Sequence, residues 1–168
     1  VKPNTLLSFT ASEPVQAGFT FLAPGCTFND TILTGQTITA NLVSCSTQGA
    51  FSLTVTVKDS LSNIGSRMIS YVYDSIGPNL TSILPANTTV VGNTDFSFTT
   101  VEPVTNITFS AANCTFSSPT LVGQFVTATL SNCTVEGLSS LQVTTFDAVG
   151  NAATITLPFV YDSLGPIF

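Results

Sequence analysis

The chain has 168 residues, of which 7% are charged and 43% hydrophobic, with a net charge of −6 and no histidine or tryptophan. Its only cations, Lys2, Lys58 and Arg67, are too few for the clustered basic surface that nucleic acid or an anionic membrane requires. Apolar runs are short, well below the ~20 residues that cross a bilayer, so membrane insertion is excluded as well.

In chain order the sequence reads as short strands between turns. Ala23-Pro24-Gly25 and Thr47-Gln48-Gly49 are turn signals. Residues 51–57, FSLTVTV, alternate apolar side chains with Ser and Thr, the period of a half-buried antiparallel strand. Residues 96–99 and 127–130 alternate in the same way, and residues 135–137 and 148–151 are turns. Residues 153–157, ATITL, close the pattern. The 28 Thr suit a pleated surface because they are β-branched. No stretch of a dozen residues shows helical periodicity.

The chain repeats itself. Residues 9–15, FTASEPV, match residues 98–104, FTTVEPV, at an offset of 89. From the first cysteine onward the offset is 88: Cys26 with Cys114, Cys45 with Cys133, Asp59 with Asp147, Asn63 with Asn151, and YDSIGP at 73–78 with YDSLGP at 161–166. Two tandem domains follow, residues 1–78 and 79–168. About seven strands in each predicts an all-β chain of two immunoglobulin-like β-sandwiches. Their cores are expected to hold Phe19, Phe21, Phe28 and Phe51 in the first copy, and Phe96, Phe98, Phe109, Phe116 and Phe146 in the second.

Four cysteines allow three pairings. The repeat selects Cys26–Cys45 and Cys114–Cys133, one disulfide per domain, since two Cys without His cannot complete a tetrahedral metal site. Stable disulfides imply an oxidising, extracellular or cell-surface setting. Six N-x-Ser/Thr sequons, at Asn29, Asn79, Asn87, Asn106, Asn113 and Asn132, agree with a secreted glycoprotein. A glycan coat would keep a chain with so few charges in solution. A Thr-rich sheet surface is the alternative source of these triplets.

Carboxylates are scarce enough for their recurrence to matter. Asp74, Glu102 and Asp147 are expected to approach one another at the inter-domain joint, where they would offer oxygen ligands to calcium. The alternative is that each caps a turn or faces solvent. Catalysis has little to work with, as no His is present and no Ser has a visible activating partner. The chain is therefore expected not to be an enzyme and to need no cofactor other than calcium.

Residues 143–166, VTTFDAVGNAATITLPFVYDSLGP, resemble the closing hairpin of the tandem bacterial-type immunoglobulin-like domains of surface proteins. Those end in a strand, a D-x-x-G-N turn, a second strand and a Tyr/Val-Asp linker closed by Pro. The first copy departs at the turn, with Asp59-Ser60-Leu61-Ser62-Asn63. The resemblance implies the sandwich fold and a place in stalks, adhesins or filaments.

Residues 79–88 open the second copy, and nothing before Val1 corresponds to them. The sequence therefore reads either as a window on a longer array or as a chain whose first domain takes its first strand from another molecule. Both point to self-association end to end, as a structural repeat unit of an extracellular filament or stalk. An adhesin or carbohydrate-binding module that contacts glycans is the alternative.

Overall fold

Strands form where Thr and Ser alternate with apolar residues, because one face of such a segment can be buried while the other stays wet. In a computed structural model, which describes residues 1–85 and 89–167, fifteen strands and no helix occur among those residues. The chain divides into two compact units, Val1–Ser75 and Ile76–Phe168. Each is a β-sandwich of immunoglobulin-like type, stapled by one disulfide.

Unit 1 contains β1 (Thr5–Thr10), β2 (Thr20–Leu22), β3 (Cys26–Thr34), β4 (Thr37–Cys45), β5 (Gly49–Lys58) and β6 (Ile64–Tyr73). One sheet runs β1-β4-β3 and the other β2-β5-β6, antiparallel throughout. Leu7, Ile38 and Leu42 from the first sheet meet Leu53, Val55 and Tyr73 from the second. Phe9, Phe19, Phe21, Phe28 and Phe51 are partly buried against this core. Phe9 and Phe21 bridge the sheets with ring centroids 5.7 Å apart.

Unit 2 contains β7 (Leu80–Leu84), β8 (Thr89–Val90), β9 (Thr94–Thr100), β10 (Asn106–Ala111) and β11 (Cys114–Phe116). It continues with β12 (Thr120–Val122), β13 (Phe125–Cys133), β14 (Gly137–Phe146) and β15 (Ala152–Tyr161). The sheets are β10-β14-β15-β8 and β11-β13-β9-β7, with β12 also paired to β13. The core is built from Phe96, Phe98, Leu130, Leu141, Val143, Phe159 and Tyr161.

Among the described residues, six and nine strands stand where about seven were expected in each unit, for identifiable reasons. In unit 1, residues 26–34 form one bulged strand. In unit 2, Pro119 occupies the position of Thr31, and a residue with no N–H interrupts the ladder, leaving β11 and β12 as separate pieces. In unit 2 the outer edge of β9 is covered by β7. In unit 1 no described strand pairs with the corresponding edge of β1.

Two core expectations need correction. Phe146 is only half-buried, because the strand period puts Leu141, Val143 and Thr145 on the inner face of β14 and turns Phe146 away. Tyr73, Phe159 and Tyr161, outside the expected set, are core residues.

Candidate functional site

The turns that close the last hairpin of each unit are alike. In unit 2 one carboxylate oxygen of Asp147 accepts the N–H groups of Val149 and Asn151, each at 2.8 Å. The other oxygen accepts the Asn151 side-chain amide at 2.7 Å. In unit 1 Asp59 receives the same three bonds from Leu61, Asn63 and the Asn63 amide at 2.8, 2.8 and 2.7 Å. The fourth position explains the sequence departure. It is left-handed in both turns, with φ 80° at Gly150 and 70° at Ser62. A side chain there is strained by about 1 kcal/mol. Ser62→Gly should therefore raise the stability of unit 1 by about 1 kcal/mol, read as a later midpoint in denaturant, whereas an unchanged or earlier midpoint would mean that the serine is not strained.

Asp147 is 5% exposed. Burial acts to raise its pKa, but the bonds from the Asn151 N–H, the Asn151 amide and the Val149 N–H outweigh it and hold the carboxyl below its ordinary value of 3.8. The Asn63 amide does the same for Asp59, against desolvation and with the help of the Asn63 and Leu61 N–H groups. A carboxyl depressed in the folded state contributes fully above its unfolded pKa, and its contribution is lost as pH falls through the folded value. Unit 2 should accordingly lose stability as pH falls below the ordinary carboxylate range. Asp147→Asn should be weaker than the parent at neutral pH and show a flatter acid limb, and identical limbs would remove this role.

Both linkers are latched by residues not singled out in the sequence. Gln48 accepts the Ser75 N–H at 2.9 Å and donates its amide to the Ser75 hydroxyl at 2.6 Å. At the equivalent place Glu136 accepts the Ser163 N–H at 2.9 Å and also the Ser163 hydroxyl. The linker Ser is repeated, at Ser75 and Ser163, but its partner is Gln in one copy and Glu in the other, so residue identity does not mark the pair.

The cysteines pair as the repeat selects: Cys26 with Cys45 and Cys114 with Cys133. Each pair sits directly across two neighbouring strands of one sheet. These are not the bonds between sheets familiar from antibody domains.

Of the sequon asparagines, Asn29, Asn79, Asn106, Asn113 and Asn132 are all exposed. Asn87 lies outside the described residues. Asn132 also accepts the Tyr161 hydroxyl at 3.0 Å through its carbonyl oxygen, leaving the nitrogen to which a glycan attaches.

Of the residues considered for calcium, Asp74 belongs to unit 1 and Glu102 and Asp147 to unit 2. Within either unit, no group of three or more acidic or cysteine side chains among the described residues is placed to hold a metal ion. The Asp147 carboxylate serves its own turn.

Unit 1 is open beside the outer edge of β1. A cleft of about 830 Å³ runs there, with Phe9, Ser12, Val57, Ile64, Gly65 and Tyr71 among its walls. Its walls come from β1, β4, β5 and β6, so no single stretch of sequence marks them.

No protein-family model matches the chain, and no curated protein matches it. Among solved structures it is similar to Clostridium thermocellum CbhA fibronectin(III)-like modules, at 12% identity over 96% of this chain and 87% of that one, with a TM-score of 0.42. It is similar to the Yersinia pseudotuberculosis adhesin InvE at 17% identity, over 95% of this chain and 56% of that one, with a TM-score of 0.36. It is also similar to the Bacteroides ovatus mixed-linkage glucan utilization locus protein SGBP-B, solved in complex with a mixed-linkage heptasaccharide. That match is at 14% identity, over 96% of this chain and 42% of that one, with a TM-score of 0.32. The chain thus spans about half the length of the adhesin and less of the glucan-locus protein, and its fold class rests on the strand pairing described above.

Proposed function

We propose that the chain is a structural repeat unit of an extracellular filament or stalk. One observation supports this above the others: the same sandwich, cross-strand disulfide, Asp–Asn turn and linker latch are built twice in series. In both copies the conspicuous polar side chains are committed to holding turns and linkers. Two disulfides and no free cysteine suit an oxidising compartment. Exposed sequons suit a glycan coat over a surface with few charges.

The test is the mass of native material before and after glycosidase, together with negative-stain microscopy of the same sample. Filaments or extended chains, and a mass loss on deglycosylation, are expected. Monodisperse particles that carry no glycan and retain a glycan column would overturn the filament reading in favour of a carbohydrate-binding module.

A further inference from the structure

We propose that the Cys114–Cys133 disulfide gates glycosylation of the two asparagines beside it, Asn113 and Asn132. Each accepts a glycan while the cysteines are thiols, and closing the bond withdraws both. This rests on the glycan coat of the repeat-unit reading and adds its regulation.

Both triplets have cysteine in the middle, Asn113-Cys114-Thr115 and Asn132-Cys133-Thr134. The fold lays them antiparallel across one another. Cys114 stands opposite Cys133 and Thr115 opposite Asn132, and the Asn113 carbonyl accepts the Thr134 N–H at 2.8 Å. The hydroxyl of each triplet is thereby turned to the asparagine of the other. Thr115 donates to the Asn132 carbonyl and Thr134 to the Asn113 carbonyl, each at 3.4 Å. The third-position hydroxyl is what marks an acceptor triplet, and a transferase must reach it together with the asparagine amide of the same strand. With the two strands bonded through sulfur at the centre of both triplets, neither can be drawn out of the sheet.

The gate works one way. Asn113, Thr115, Asn132 and Thr134 are exposed, whereas Cys114 is half-buried and Cys133 buried. A glycan on the outer face therefore leaves the thiols free to meet beneath it. Transfer joins the asparagine Nδ2 to the anomeric carbon of a lipid-diphosphate oligosaccharide, releasing the lipid diphosphate and one amide proton. Closure passes two electrons and two protons from the thiols to an oxidant disulfide, which leaves as a dithiol.

The order of synthesis makes the two sites unequal. Cys133 follows Cys114 by 19 residues, an interval of about 1–4 s at ~5–20 residues/s, and disulfides form in seconds to hours. Asn113 has that interval before a partner thiol exists, whereas Asn132 is made beside Cys133 with Cys114 already waiting. Unit 1 has the same pairing without the conflict. Gly25 and Ser44 stand where unit 2 has Asn113 and Asn132. Gly25 accepts the Ser46 N–H at 2.8 Å and Ser44 the Thr27 hydroxyl at 3.4 Å.

The full chain should be directed to the secretory pathway of a eukaryotic cell, and the occupancy of each sequon read by glycopeptide mass spectrometry in retained and secreted material alike. In the parent, Asn132 should be less occupied than Asn113. Cys114→Ser/Cys133→Ser keeps both triplets as acceptors. It should raise occupancy at Asn132 by about twofold or more, as when two processes of similar rate cease to compete, with a smaller rise at Asn113 and none at Asn79 or Asn106. Cys26→Ser/Cys45→Ser should leave Asn113 and Asn132 as in the parent. Unchanged occupancy at both in the first variant, including sites already full in the parent, would overturn the gate while leaving the glycan coat in place. An equal rise at every sequon would overturn it as well, as an effect of general unfolding. A parent and variants without glycan at any sequon would overturn the gate and count against the glycoprotein reading too.

Discussion

Gly77→Val is expected to destabilise unit 2 by about 3 kcal/mol, at the upper end of the range for overpacking a site that cannot yield. Rotating a side chain away offers no relief. The nearest atoms to a Cβ are the carbonyl carbon and oxygen of Ala152 and the nitrogen of Ala153, at 2.3, 2.5 and 2.6 Å. All belong to β15, whose ladder with β14 runs from Gly137↔Tyr161 to Phe146↔Ala152. The segment must lift instead. That exposes Pro78, breaks the Thr145 hydroxyl bond to its carbonyl and loosens the start of β7. In calorimetry the transition of unit 2 should fall by roughly 10–20 °C while that of unit 1 stays in place. Gly165→Val, with the same residue type in the same motif, should leave both transitions unchanged. A Gly77→Val protein that melts like the parent would show that the segment does not pack against β15.

Removing either disulfide should cost its unit about 3 kcal/mol in the chain-entropy view, since each closes a loop of 19 residues. Cys26→Ala/Cys45→Ala should shift the unfolding of unit 1 alone, and Cys114→Ala/Cys133→Ala that of unit 2 alone. The local consequences should differ. In unit 1 the bond ties β3 to β4 along a long, if bulged, ladder. In unit 2 it ties the three-residue β11 to β13, and so short a strand holds few ladder bonds of its own. Hydrogen exchange in β11 should therefore rise more than in β3. Equal protection in the two strands, or unfolding insensitive to a reductant that frees all four thiols, would contradict this account.

Much of the architecture could be read from local pattern. Alternation at residues 51–57 became most of β5, and alternation at 96–99 part of β9, because a period of two puts one face of a strand in the core whatever the partner strand is. The cysteine pairing was legible because equivalent positions in a repeat face equivalent neighbours. The Asp–Asn turns were legible as recurring residues, though not as carboxylates already satisfied by three donors. Phe146 was misjudged because composition does not say which parity of β14 faces inward, and Leu141 and Val143 decide that jointly.

The sequence by itself determined that this is a doubled, disulfide-stapled β protein, because periodicity, repetition and cysteine count are properties of neighbouring residues. Only the tertiary structure decided what the Gly-Pro linker does. Gly77 meets the backbone of Ala152, far along the chain, and no periodicity records so distant a contact. A strand edge is covered or bare according to which segments fold back upon it, and the unpaired N–H and C=O groups that make an edge adhesive are present in every residue alike.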